Sequence, residues 1–288
     1  TNWDYGHRKE LFLERLALLE SVFAVECCDE DVLDNHFHLL LRNRPDVVAT
    51  WTDHEVAERW LLLSRSEIAL RKEPKRLRVD GMVADTARMA AIRRRLSSIS
   101  WFMAYLREPL ARVFNAEDGR AGHFWERFNC VRLEDEESLM ACSLYIAMNS
   151  SRAGIATSVE TSNHASVHAR LLDRQSGDPA RPNSGHLAAV HVDGDAFDGV
   201  AAHRRPSNKG YLKVTFDEYL EVLIELIQRE MAQRRGEYVA SLPPVLERLG
   251  ITGPAWEAAL RLTSRRFSRE LDRMAAIRAS APRRATGQ

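Results

Sequence analysis

The sequence predicts an α+β protein, and three observations carry that expectation. The segments His7–Phe23, Glu136–Asn149 and Phe216–Arg235 read as helices, the first with apolar residues at 11, 12, 16, 18, 19 and 23. Between the first two, Val25–Leu33 and His36–Arg42 face each other across a tight turn at Asp34-Asn35 and read as a β-hairpin. At 288 residues the chain can bury one sizeable core and a smaller second unit.

In chain order, Val25–Leu33 reads as a strand although Asp29, Glu30 and Asp31 are poor strand formers. On the returning strand, alternation turns His36 and His38 to one face and Phe37 to the other. Leu39 and Leu41 are expected to follow along the histidine side. Arg44-Pro45 ends the strand, and Thr52-Asp53-His54-Glu55 opens a helix over Trp51–Leu63. Arg65–Asp80 is charged and reads as loop; Asp85–Phe114 reads as helix, bent or divided at Pro109. Gly119–Gly122 makes a turn, and His123–Leu133 reads as a further strand region. Asp135 caps the helix Glu136–Asn149, which runs out towards Gly154. Ser176–Asn208, rich in Pro, Gly, Ser and Asp, reads as loop or linker, and Leu242–Met274 as helix. The expected organisation is a first domain over 1–175 with a helical insertion at about 50–95, a linker over 176–210, a helical region over 211–278 and a disordered tail from 279.

Lysine plus arginine equals aspartate plus glutamate, 41 each, so the overall charge points to no polyanionic partner. Its distribution does. From Arg71 to Arg132 there are 14 basic residues against 7 acidic, and from Arg265 to Arg284 there are 7 against 2. A phosphate backbone requires such stripes, although a solvated helix face produces them as well. Arg93, Arg94, Arg95 and Arg127 are the candidate DNA contacts. The aromatic residues Trp101, Phe102 and Tyr105 beside them could stack bases or simply form core. The cysteines, 27, 28, 130 and 142, form no Cys-x-x-Cys pair and suggest a reducing cytoplasm; no apolar run reaches 18 residues, so no membrane partner is expected. Asp193, Asp195 and Asp198 resemble a calcium loop only briefly, because its twelfth position is Arg204.

Two imidazoles side by side can hold one divalent ion, although a bare pair of strand histidines often binds nothing. Tyr145 and Asn149 are four residues apart and so share a helix face. Together the four offer two imidazoles, an amide oxygen and a phenol, a set suited to metal-assisted attack on a phosphate.

The strings DNHFHLLLRNRPDVVATW, ISWFMAYLREPLARVFNAEDGRAGHFWERF and LMACSLYIAMNSSRAGIA resemble the REP-associated tyrosine transposases, of the single-tyrosine HUH (His-hydrophobic-His) group. The resemblance covers roughly residues 7–172, and LPPVLERLGITGPAW resembles the tail of a long bacterial branch. It implies a ferredoxin-like αβ sandwich with an antiparallel sheet. It also implies cleavage of hairpin-containing single-stranded DNA through a 5′-phosphotyrosine, with Mg²⁺ or Mn²⁺. On that basis Tyr145 is the nucleophile and His36, His38 and Asn149 the metal ligands, with a homodimer left open. The chain departs from the family's pattern in four places. Its start supplies no strand before the first helix, so a neighbouring strand edge is expected to be unpaired. Trp125-Glu126 runs directly into Arg127-Phe128, Asp29-Glu30-Asp31 replaces an apolar stretch, and Ser150 replaces a proline. The rival from another class is a hairpin-DNA-binding protein that keeps recognition without chemistry. A relaxase or replication initiator would carry a third histidine or paired tyrosines, patterns that this chain lacks.

Overall fold

The computed structural model describes residues 5–34, 36–63, 74–122, 124, 128, 130–176, 183–193, 205–235 and 253. Helix α1 (Gly6–Val22) leads into β1 (Val25–Val32), which returns as β2 (Phe37–Asn43) in a two-stranded antiparallel sheet among the described residues. Among the described residues five helices follow: α2 (Pro45–Thr50), α3 (Asp53–Leu62), α4 (Lys75–Val83), α5 (Thr86–Leu96) and α6 (Ile99–Glu117). Then come α7 (Glu136–Ala147), α8 (Asn149–Arg152), a 3-10 turn at Val159–Thr161, α9 (Ser166–Ser176) and α10 (Phe216–Arg234). The protein is of mixed α+β class.

The sheet divides two apolar clusters. On one side Phe12, Leu16 and Leu19 of α1 meet Phe102, Leu106 and Leu110 of α6, with Phe37, Leu39 and Leu41 packed against them. On the other, Leu40 meets Met140 and Leu144 of α7 and Tyr219, Val222 and Leu223 of α10. Leu40, and neither Leu39 nor Leu41, continues the histidine face, because strict alternation assigns the odd residues to the side of Phe37. The pairing slips by one residue between Cys27 and Asp29, so Cys28 is an extra residue in β1. Beyond this bulge Asp29 lies opposite Leu40 and Asp31 opposite His38, which puts both carboxylates on the histidine side.

β1 is buried along its whole length, and its outer edge is occupied rather than unpaired. Cys27 N–H donates to Glu20 Oε1 (2.7 Å), and Cys27 C=O accepts from Ala188 N–H (2.8 Å). Cys28 C=O accepts from Arg170, and Val32 N–H donates to His164 C=O. The segment expected as linker supplies part of this cover, with Leu187, Ala188, Ala189 and Val190 all at or below 4% exposure. Val190 and Val192 bond to Leu212 in a parallel arrangement. A side chain at Gly210 would collide with the His191 carbonyl, so only glycine fits that close approach.

Other expectations change for identifiable reasons. α4 occupies the end of the segment expected as loop and packs Val79 and Met82 into the core; residues 64–73 lie outside the described residues. The long helix divides at Ser97-Ser98, where Ser98 Oγ caps α6 by accepting from Trp101 N–H. Pro109 stays inside α6, and the carbonyl of Tyr105, which lacks a helical donor four residues on, accepts from Arg15 Nε at 3.1 Å. Of 123–133, the described residues form no strand. Their aromatic rings are held singly against α6, Phe124 on Phe114 and Phe128 under Arg107. Residues 236–252 and 254–288, which include the helix expected at Leu242–Met274 and the tail, lie outside the described residues.

Glu20 yields a pH prediction. It is fully buried beside Glu30, and burial first, then that neighbouring charge, push its pKa well above 4.5. The folded state therefore keeps a proton that the unfolded chain releases. The stability this contributes is complete below about pH 4.5 and is lost as pH rises through the folded pKa. Chemical denaturation between about pH 5 and 8 should show wild type falling relative to Glu20→Gln by up to about 1.4 kcal/mol per unit. A pH-independent difference would mean that the carboxyl is already ionised.

Candidate active site

The site is built by matching a strand to a helix. Two residues of strand rise about 6.8 Å, and four residues of helix rise about 6 Å. His36, immediately ahead of β2, and His38 within it can therefore meet Asn149 and Tyr145 across the α7–α8 turn, position for position. They do: Asn149 Nδ2 lies 3.3 Å from His36 Nε2, and the rings of His38 and Tyr145 are 5.8 Å apart, edge to face. The two imidazoles are 5.1 Å apart. All four side chains singled out in the sequence thus converge.

Local signals hold the helix in place. Asp135 caps α7 by accepting from Ser138 N–H at 2.7 Å, with Glu136 and Glu137 in the first turn, where the helix dipole favours acids. Gly154 takes φ +71° and ends α8. Three residues outside the four-residue set, Asp31, Ser150 and Arg152, fasten the site. Ser150 Oγ donates to the Asp31 carboxylate, 2.8 Å from either oxygen, and Asn149 bonds the same carboxylate. Arg152 lies 4.8 Å over the Tyr145 ring and bonds its hydroxyl, and it pairs with Glu230 of α10 at 3.8 Å. Asp31 could have been found by counting back from the Asp34-Asn35 turn, which puts it opposite His38. Arg152 follows Tyr145 by seven residues, two helical turns along the same face.

Burial sets the protonation states. It lowers the His38 pKa to about 3, with the charge of His36 adding to the effect, so His38 is neutral at physiological pH, the form that ligates metals. Burial raises Asp31 to about 7 against the bonds from Ser150 and Asn149. Burial also raises Tyr145, while the Arg152 charge and hydrogen bond pull it down. Among the described residues no group of three or more His, Cys, Asp or Glu side chains is placed to hold a metal ion. The available donors here are two imidazoles and the Asn149 amide, which presents nitrogen to His36 and would present oxygen after a half-turn.

The arginine stripe divides. Arg93 turns inward, donating to Val48 C=O (2.8 Å), Trp51 C=O (2.7 Å) and Asp53 Oδ1 (2.7 Å). Arg94 is exposed, and Arg95 lies against Trp101 and Trp60. Arg127 lies outside the described residues. The three buried cysteines and the exposed Cys130 are free thiols. No helix among the described residues is long and apolar enough to cross a membrane.

Comparison with protein-family models, with curated proteins and with solved structures finds no match to this chain.

Proposed function

We propose that the protein is a metal-dependent tyrosine transposase of the single-tyrosine HUH type, which cleaves and rejoins hairpin-containing single-stranded DNA. The observation that carries this reading is the convergence of His36 and His38 with Asn149 and Tyr145. In this reading the hairpin and α7 belong to a ferredoxin-like sandwich. The segments at 164–165 and 188 then take the edge that the family's first strand would fill.

The Tyr145 oxygen attacks the scissile phosphorus, a bond forms from the phenol oxygen, and the bond to the 3′-oxygen breaks. The phenolic proton is balanced by the one that the departing 3′-oxygen gains, leaving a free 3′-hydroxyl and a 5′-phosphate on Tyr145. Attack by a 3′-hydroxyl reverses these steps, so joining requires no nucleotide cofactor. His36, His38 and Asn149, once its amide is turned, would hold Mg²⁺ or Mn²⁺, which polarises the phosphate when bound. Arg152 supplies a fixed positive charge beside the phenol, suited to a phosphate oxygen. Tyr145 is only 3% exposed beneath that guanidinium, so DNA must take Arg152 as a partner or displace it. That burial is also what favours the second reading, a hairpin-DNA-binding protein without chemistry.

A denaturing gel with end-labelled single-stranded hairpin DNA and Mn²⁺ separates the two. Wild type should retain the label on the 3′ side of the break as a protein adduct, and Tyr145→Phe should bind the DNA yet form none. An adduct on the phenylalanine variant would move the nucleophile elsewhere. No adduct on wild type would leave the binding protein.

Arg152→Ala should slow adduct formation in a single turnover about 100-fold, the cost of losing one charge-stabilising donor. DNA affinity should change by less than about threefold, because the loss falls on the reacting state. A fall in affinity with an unchanged rate would make Arg152 a binding residue only.

Calorimetric titration with Mn²⁺ should show binding to wild type and little to the His36→Ala, His38→Ala double variant. Equal affinity in both would remove the histidines from the metal site.

A further inference from the structure

A second surface feature lies away from the histidines, on the part of the molecule that packs against the Phe37 side of the sheet. Where α5 ends and α6 begins, Ala91, Arg94, Arg95, Ser98 and Trp101 line an open recess of about 410 Å³. Two of its five lining residues are cations, and none is an acid. Trp101 is 39% exposed, unusual for so large an apolar side chain. Arg95 lies 4.6 Å from the Trp101 ring centre and 5.6 Å from that of Trp60, which holds its guanidinium against the aromatic wall. Trp60, Trp101 and Tyr105 support one another, with centroids 5.9–6.3 Å apart. Trp101 is thus held by Trp60, Tyr105 and Arg95 while more than a third of its surface stays exposed. Arg93, the inward-turned member of the triplet, ties α5 to the end of α2 and the start of α3.

We propose that this recess docks one unpaired nucleotide of a single-stranded nucleic acid, with the base stacked on Trp101 and the phosphate held by Arg94. A braced indole offers a π-face to any base, and stacking of this kind is worth about 1–3 kcal/mol per base. An exposed guanidinium matches a phosphate in charge and in the geometry of its donors. The volume falls within the roughly 300–1,000 Å³ of small-ligand sites. A duplex keeps its bases stacked internally and offers none to Trp101, so the recess selects single strands. The proposal rests on the single-stranded DNA reading above but not on the chemistry of Tyr145: it is an anchoring point remote from the reacting phosphate.

The test uses the full chain in metal-free buffer with chelator, so that cleavage does not intervene, and measures fluorescence anisotropy. The probes are a labelled oligothymidylate of about twelve residues, an abasic strand with the same phosphates and a duplex of that length. Wild type should bind the oligothymidylate about 10-fold more tightly than the abasic strand, and the duplex more weakly still. Trp101→Ala should remove that preference and leave affinity for the abasic strand unchanged, while Trp101→Phe keeps part of it. Arg94→Ala, at an exposed position that cannot unfold the chain, should weaken both single strands and lower the salt slope by roughly 0.7. Equal binding of oligothymidylate by wild type and Trp101→Ala overturns the proposal, as does equal binding of the base-bearing and abasic strands by wild type. Trp101-dependent binding without any Tyr145 adduct leaves the docking site standing and removes the cleavage reading. An adduct with no dependence on Trp101 does the reverse.

Discussion

The rest of the structure depends on the burial of an acidic strand. Glu26, Asp29, Glu30 and Asp31 lie within β1 at or below 2% exposure, with Glu20 of α1 buried beside them. An isolated carboxylate cannot be carried into a protein interior at tolerable cost, so each acid must find donors or keep its proton. Glu26 takes Arg42 and Arg44 of the hairpin's far end. Asp29 takes Ser143 at 2.6 Å, Tyr219 at 3.1 Å and Ser166, with Arg170 at 3.9 Å. Asp31 takes Ser150 and Asn149, and Glu30 faces His186 at 3.4 Å. These partners come from β2, α7, α8, α9, the 183–193 segment and α10. Among the described residues, β2 and each α-helix after α6 reach β1 to satisfy one of its acids.

The bulge at Cys28 makes this arrangement compatible with the site. In an unbroken strand the even residues would share one face, and Glu26 would align with Glu30. The extra residue reverses the parity, so Glu26 faces the same way as Asp29 and Asp31. Without it Asp31 would point into the apolar cluster on the Phe37 side, and α8 would have no carboxylate to receive Ser150. A one-residue irregularity thus decides which face of the sheet is polar enough to hold the histidines beside the helix.

Much of this was legible in the sequence, and the remainder has physical reasons for escaping it. The hairpin, α1, α7 and α10 follow from short-range periodicity and capping; spacing put His36 with His38 and Tyr145 with Asn149, and only the resemblance joined the two pairs. What depended on distant partners did not. Pro109 sits unbroken in α6 because Arg15, ninety residues earlier in sequence, takes up the freed carbonyl. Ser176–Asn208 has the composition of a linker, yet Leu187–Val190 covers the edge of β1, a vacancy that no local pattern announces. Arg93 read as one of three equivalent basic residues, and only the position of Asp53 and two carbonyls separates it from Arg94.

Asp31 and Ser150 are both buried, at 0% and 4% exposure. Either alone would be damaging: a buried carboxyl without donors, or a buried hydroxyl without an acceptor. Together they form a short bond that fixes α8 against β1 next to Asn149. Each group thus supplies what burial of the other requires. Burial raises the Asp31 carboxyl towards neutral pH, while its bonds from Ser150 and Asn149 oppose that rise. The strand and the helix are thus held in register by a bond of this chain's own, beside the four side chains that the register brings together.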